Sequence, residues 1–321
     1  MQRSRMKWLA AVLAGGLLLA ACGDDDDSAG ADSESDSGGD LSGSIRIDGS
    51  STVTPLITIA AEDFQSENSG VQVTVGTSGT GGGFERFCAG ETDFSMASRP
   101  IDEDETATCE DAGIEPLELV VANDGLSVVV NPDNDWAECL TVEQLNAIWA
   151  PDSTLSNWNE VDPDFPDVPL TLFGAGSDSG TFDYFTEAIN GEEGATRTDY
   201  SPSEDDNITV EGVAGDEGAM GYFGLSYLIE NEGTIRGVEI DGGEGCVEAN
   251  TDTVQSGDYT PLSRPLFIYT KADAAERPEV QAFAQYYFDN QDVITEEALF
   301  VPLTEDQVAE AEEELAAITG G

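Results

Sequence analysis

Short strand-like apolar runs alternate with helix-spaced ones along almost the whole chain, and this alternation most restricts how it can fold. Ser44 to Asp48 reads as a short strand. Val53, Leu56, Ile57, Ala60 and Phe64 then recur at helical spacing until Asn68-Ser69-Gly70 stops them. Val71 to Gly76 alternates as a strand, Phe84, Phe87 and Cys88 suggest a second helix, and Phe94 to Ala97 is another short strand. Leu117 to Val121 and Leu126 to Val130 read as two separate buried strands. Val142 to Trp149 follows as a helix and Leu170 to Phe173 as a strand. Phe182, Phe185, Ala188 and Ile189 mark a helix that ends near Gly191. Leu266 to Tyr269 is a strand, and Val280 to Phe288 and Glu305 to Ile318 are helices. Such alternation predicts an α/β fold with largely parallel sheets. About 280 residues take part, enough for a substantial core or for two lobes of roughly 100–150 residues each.

The N-terminal segment is of another kind. Arg3, Arg5 and Lys7 precede an apolar run from Trp8 to Ala20, too short for a stable membrane span and suited to a signal peptide. The run ends in Leu19-Ala20-Ala21-Cys22, which resembles the lipobox of bacterial lipoproteins, whose cysteine is lipidated. Residues 1–21 are therefore expected to be a lipoprotein signal peptide and Cys22 a lipid anchor, on the outer face of the cytoplasmic membrane. Gly23 to Asp40 contains no large apolar residue and cannot offset its own ordering entropy. Residues 22–43 are read as a disordered acidic tether, with Asp24 to Asp27 a solvated charge run rather than a metal site.

Charge removes several partners. Without residues 1–21, eight basic residues face all 66 acidic ones, a formal charge of −58. Nucleic acid is excluded, because phosphate-backbone binding needs clustered Lys and Arg. The acids are spread among ordinary apolar segments and read as a salt-adapted, halophilic surface, since at 1 M salt screening shrinks to roughly 3 Å. Besides Cys22 there are Cys88, Cys109, Cys139 and Cys246. Four cysteines in an exported chain suggest two disulfides with three connectivities, of which Cys88–Cys109 with Cys139–Cys246 is favoured.

Much catalytic chemistry is missing. The chain has no histidine, which removes Ser-His-Asp and Cys-His triads and every histidine metal site. Gly76 to Gly83 lacks the Lys-Ser/Thr of a P-loop, and neither it nor Gly174 to Gly180 fits G-x-G-x-x-G or G-x-S-x-G. Asn131 to Asp135 has an EF-hand-like start without the later glycine and glutamate. No catalytic residue, metal or cofactor is assigned.

What remains is a repeated local pattern. Gly49-Ser50-Ser51-Thr52, Gly76-Thr77-Ser78-Gly79-Thr80-Gly81-Gly82-Gly83 and Gly176-Ser177-Asp178-Ser179-Gly180-Thr181 each precede a helix. A helix start carries unpaired N–H groups and a partial positive charge, and here hydroxyls and unhindered backbone stand beside them. One such turn is usually just an N-cap. Three in one chain point to an anion. Arg99, in Ser98-Arg99-Pro100 after a short strand, adds a guanidinium able to pair with an oxyanion.

On these turns the chain resembles the phosphate-binding proteins of phosphate importers, the PstS-like group. The matching stretches are Asp48-Gly49-Ser50-Ser51-Thr52-Val53, Gly79 to Phe84, Ala97 to Pro100, Asp178 to Phe185, Gly218 to Tyr222 and Pro261 to Leu266. The resemblance implies a class II periplasmic-binding-protein fold, two α/β lobes with a ligand cleft and two hinge crossings. Lobe I would be 44–122 plus 263–321 and lobe II 123–262. It implies a monomeric binding protein, not an enzyme, that captures inorganic phosphate and delivers it to an ABC-type permease. Carried over by position, the phosphate contacts are Ser51, Thr52, Ser78, Thr80, Gly81, Ser179, Gly180 and Thr181, with Arg99 as the cationic ligand. Some members carry an aspartate after the third strand that accepts the ligand's proton; here Arg99 stands there, which leaves Asp178 or Asp48 as the groups that could serve. The other readings are a molybdate, tungstate or sulfate binder, an exported phosphate-ester hydrolase, and a structural surface protein.

Overall fold

The computed structural model describes residues 41–177 and 179–319. The expected signal peptide, the Cys22 anchor and most of the expected tether lie outside the described residues. The tether was drawn to residue 43, yet the fold begins earlier. Leu41, the first large apolar residue after the acidic segment, packs on the core, and Gly43 N donates to Gly70 O at 3.1 Å. Among the described residues no helix is long and apolar enough to cross a membrane.

The first part of the chain runs β1 (Gly43–Gly49), α1 (Thr54–Glu67), β2 (Val71–Val75), α2 (Gly79–Cys88), β3 (Phe94–Ala97), α3 (Glu103–Asp111) and β4 (Leu117–Val130). The middle holds β5 (Cys139–Thr141), α4 (Val142–Trp149), α5 (Trp158–Val161), β6 (Thr171–Ala175), α6 (Gly180–Asn190), β7 (Ser201–Ser203), α7 (Asp206–Ala214), β8 (Ala219–Gly224), α8 (Leu225–Glu230), β9 (Arg236–Gly237), β10 (Glu239–Asp241), β11 (Cys246–Val247) and α9 (Thr251–Ser256). The chain closes with β12 (Ser263–Thr270), α10 (Ala272–Ala275), α11 (Pro278–Asp289), α12 (Gln291–Glu297) and α13 (Glu305–Thr319). The helices follow their apolar spacing: α1 buries Leu56, Ile57, Ala60, Ala61 and Phe64, and α6 ends at Gly191 in the left-handed region. α3 is not among the helices expected from apolar spacing, because its polar surface hides its period; its Asp102/Glu105 capping box marks its start.

The main sheet runs β2-β1-β3-β12-β4-β8-β6-β7, with β9 also on β4, and β11-β10-β5 form a second small sheet. Pairing differs from the parallel expectation. β1 pairs in parallel with β2 and β3, and β6 with β7 and β8. β12, however, lies antiparallel to β3 and β4, and β4 antiparallel to β8. The reason is topological: β4 carries the chain out of the first group of strands, β12 brings it back, and neighbours running opposite ways must pair antiparallel.

Two large cores flank this pair of strands. One gathers residues from Ile45 to Ala122 and from Leu266 to Leu315, and the other residues from Leu126 to Leu262 together with Val301. A smaller cluster around Phe84, Phe87 and Tyr269 joins the α2 side of the sheet. The break expected between residues 121 and 126 is absent, and β4 runs through it. Asn123 and Asp124 stay in a buried strand because partners meet them: Asn123 Nδ2 donates to Pro302 O at 3.2 Å, and Arg264 Nε donates to Asp124 at 3.2 Å. Disulfides Cys88–Cys109 and Cys139–Cys246, the favoured pairing, tie α2 to α3 and β5 to β11.

Most of the few bases are already held by carboxylates, carbonyls or an aromatic ring of the fold. Arg86 pairs with Asp48 at 2.6 Å, Arg277 with Asp93 at 2.6 Å and with Glu279, and Arg99 with Glu105 at 2.8 Å. Arg236 donates to the carbonyls of Asn134 and Ala137, and Lys271 is buried with its ammonium over the Phe87 ring. The exposed acids therefore mainly face one another, and added salt relieves that repulsion. Raising KCl from 0.05 to 1 M is expected to raise the thermal midpoint by about 5 °C or more. A midpoint that stays level or falls would mean the surface charge is compensated locally.

Candidate functional site

Three helix starts and two arginines meet where the crossing strands pass between the cores. The β1–α1 turn depends on Gly49, whose φ is +144°; a Cβ there would lie 2.1 Å from Met96 O. The close approach lets Ser50 N donate to Met96 O at 2.9 Å, which fixes the turn. Asp48 holds it from behind: one carboxylate oxygen accepts from Gly49 N at 2.8 Å and the other from Arg86 at 2.6 Å. Asp48 is thus committed to the turn, and Asp178 lies outside the described residues. α1 starts without a side-chain cap, so the hydroxyls of Ser51 and Thr52 are not used to close it.

The β2–α2 turn reaches the same place. Ser78 N donates to Gly49 O at 3.1 Å, and Ser78 makes no side-chain cap for α2. Thr80 Oγ1 lies 3.1 Å from Ser98 Oγ and accepts from Ser98 N at 3.3 Å, so the start of α2 is tied to the loop that carries Arg99. On the other side, Ser179 caps α6 by accepting from Thr181 N at 3.2 Å. Gly180 lies against the first turn: a Cβ on it would stand 2.6 Å from Thr52 Oγ1. Only glycine lets the α6 start approach that closely.

A cavity of about 190 Å³ lies among these elements, below the roughly 300–1,000 Å³ of pockets for drug-sized ligands. Of the residues expected at the site, Ser51, Thr52, Thr80, Gly81 and Arg99 line it. Ser78, Ser179, Gly180 and Thr181 are not on its wall, although Gly180 touches Thr52 directly behind it. Arg264, Tyr184, Asp183, Glu187 and Glu193 line it without having been assigned there. Arg264 stood within a matched stretch, Pro261 to Leu266, and its scarcity as a base was the available signal. Asp183 and Glu187 stand four apart on one helix face, a pattern lost among so many acids.

The charges are arranged in pairs. Arg99 grips Glu105 with both terminal nitrogens, at 2.8 and 2.9 Å, and that hydrogen bonding raises its pKa despite partial burial. Arg264 faces Asp124, whose carboxyl burial pushes up against the opposing pull of the guanidinium. Asp183 has no such partner among the described residues. Burial pushes it up to about 6, Glu193 and Glu187 add to the rise, and Arg264 opposes it. Neutral donors at the helix starts and compensated guanidinia suit a small oxyanion. The described Cys/Asp/Glu group close enough to hold a metal is Cys139, Glu239 and Cys246, and both of its sulfurs are in the disulfide.

A family model described as PBP superfamily domain matches residues 34–291. Protein SphX of Synechocystis sp. is 46% identical over 266 residues, covering 82% of this chain and 79% of that protein. The phosphate-binding protein PstS of Staphylococcus saprophyticus is 36% identical over 306 residues, covering 95% of this chain and 92% of that one. The solved structure of a possible phosphate binding protein from Planctomyces limnophilus is 47% identical with a TM-score of 0.84, covering 87% of this chain and 99% of that one.

Asp183 gives the site a pH signature of its own. In the unfolded chain its carboxyl ionises near 3.8, and in the fold near 6, so folding favours the protonated form. Its favourable share of stability is complete below about pH 3.8 and is lost as the pH rises through about 6. Asp183→Asn is therefore expected to raise the ligand-free thermal midpoint above wild type at pH 7.5 and to leave it nearly unchanged at pH 4. Equal midpoints at both pH values would show that the carboxylate is fully solvated.

Proposed function

The chain belongs to the PBP superfamily, within the group of the SphX and PstS proteins, and we propose that it captures inorganic phosphate and delivers it to an ABC-type permease. The observation that carries this reading is that Ser51, Thr52, Thr80, Gly81 and Arg99 border one small cavity, with Gly180 of a third helix start against Thr52. Phosphate is rich in acceptor oxygens, and helix starts with free hydroxyls offer donors without needing net positive charge. Ser78, Ser179 and Thr181 complete the set of contacts on closure.

In this reading residues 44–122 and 263–321 form lobe I, and 123–262 lobe II. β4 and β12 are the two crossings, and the two cores on either side of them support this division. The lobes close on the anion by a hinge motion and open to release it. The protein acts as a monomer without catalysis. Residues 1–21 direct export, Cys22 carries lipid, and the acidic segment that follows tethers the domain to the outer face of the membrane. The acidic surface suits a salt-rich exterior.

Calorimetry with phosphate, sulfate, molybdate and arsenate tests the reading. Phosphate is expected to bind most tightly, with arsenate its nearest competitor. Sulfate binding as tightly as phosphate at pH 8 would remove the phosphate preference, and no binding of any of the four would remove oxyanion capture. Arg99→Ala is expected to weaken phosphate binding at least about tenfold, since a charge-assisted contact contributes on the order of 1.5–3 kcal/mol. An unchanged affinity would leave Arg99 as the ion-pair partner of Glu105 alone.

A further inference from the structure

A second guanidinium on the cavity is better prepared for an anion than Arg99. Arg264 on β12 stands directly across the ladder from Asp124 on β4. Its Nε donates to Asp124 Oδ2 at 3.2 Å and its Nη2 to Thr52 Oγ1 at 3.3 Å. Its guanidinium carbon lies 3.6 Å from the centroid of the Tyr184 ring. Tyr184 is itself held, its hydroxyl donating to Pro261 O at 2.8 Å. One side chain therefore touches a crossing strand, the α1 start and helix α6, and its plane is set by an aromatic face.

The donors it leaves over are the decisive feature. A guanidinium has five N–H groups. Those of Arg264 that find acceptors are on Nε and Nη2; among the described residues Nη1 has none. Arg197 shows the alternative. It is buried away from the cavity, and all three of its nitrogens are engaged, by Asp199, the carbonyls of Ile148 and Leu155, and Ser153. The spare donors of Arg264 belong to a side chain only 13% exposed that lines the cavity, so an anion there can meet them without first displacing a protein acceptor. In Arg99, which is 39% exposed, the two terminal nitrogens already hold Glu105, the bidentate geometry an oxyanion would need.

We infer that Arg264 is the principal guanidinium ligand of the captured oxyanion, donating from Nη1 and the outer hydrogen of Nη2, with Arg99 a secondary contact nearer solvent. This rests on the reading of the cavity as a phosphate site. Asp124 offsets the charge of Arg264 and fixes its Nε, so the anion meets oriented hydrogen bonds in a poorly solvated place rather than a free positive charge. Thr52, bonded to the same guanidinium, couples that contact to the α1 start and, through Gly180, to α6.

The test is calorimetry with inorganic phosphate on the full exported chain and two matched variants, Arg264→Lys and Arg99→Lys. Lysine keeps each charge and loses the planar fork. Arg264→Lys is expected to weaken phosphate about a hundredfold with a ligand-free thermal midpoint close to wild type, and Arg99→Lys to weaken it less than about tenfold. Arg264→Lys binding within about threefold of wild type, or Arg99→Lys losing more, overturns the assignment. If Arg264→Lys fails to fold, the double variant Asp124→Asn with Arg264→Gln keeps a neutral pair across the ladder; wild-type affinity in that protein also overturns it, and a loss of about thirtyfold or more supports it. If wild type binds sulfate or molybdate and not phosphate, the phosphate reading alone falls, and the same ratio between the two lysine variants with that anion decides the role of Arg264.

Discussion

The antiparallel ladder between β4 and β12 is the constraint on which the rest of the architecture turns. Its register pairs Ser263 with Gly125 and Thr270 with Leu117, so the two strands that leave and re-enter the first core are locked together along their length. Each side of the ladder keeps a core of its own, which leaves the polar stretch Asn123-Asp124-Gly125 in the middle with neither core to enter. Those residues remain in strand because Arg264, Pro302 and Gln307 supply partners. The same pairing that satisfies Asp124 also aims Arg264 at the cavity. A requirement of stability at the crossing thus becomes a property of the site.

The acidity of the chain and its anion cavity are compatible because the cavity does not work by net charge. Arg99 and Arg264 each have a carboxylate against them. On the side of the first two helix starts the cavity is lined by hydroxyls, glycine backbone and guanidinium edges, whose directions are set by the turns rather than by long-range attraction. Asp48 illustrates the economy of the arrangement: one buried carboxylate holds the Gly49 turn and anchors Arg86 in the last turn of α2, while Ser78 N on Gly49 O keeps the first two helix starts beside each other. Asp183, Glu187 and Glu193 on the facing side are the counterweight, and the raised pKa of Asp183 makes the cavity sensitive to protonation.

Much of this was legible beforehand, for reasons that are local. Hydroxyl- and glycine-rich turns announce helix starts because unpaired N–H groups need them, and the family resemblance carried on those turns singled out Ser51, Thr52, Thr80 and Gly81. Arg99 stood out because bases are so few. The continuous β4 was not legible, since Asn123-Asp124-Gly125 reads as a break until residues more than a hundred positions away satisfy it. Nor was the antiparallel pairing, because alternating elements do not say which strand lies beside which. Arg264 was visible as a letter in a matched stretch, but its function depends on Asp124, Thr52 and Tyr184, which only folding brings near.

By itself, the sequence determined the α/β class, the three helix-opening turns and the exclusion of histidine-based catalysis, because each follows from residue type and short-range spacing. Only the tertiary structure decided which turns share a cavity, which arginine has donors to offer and where the carboxylates stand, because these depend on contacts between β4, β12, α1 and α6 that no local pattern encodes. The cavity is lined by groups the sequence lists one by one, and the paired crossing strands help to bring them together.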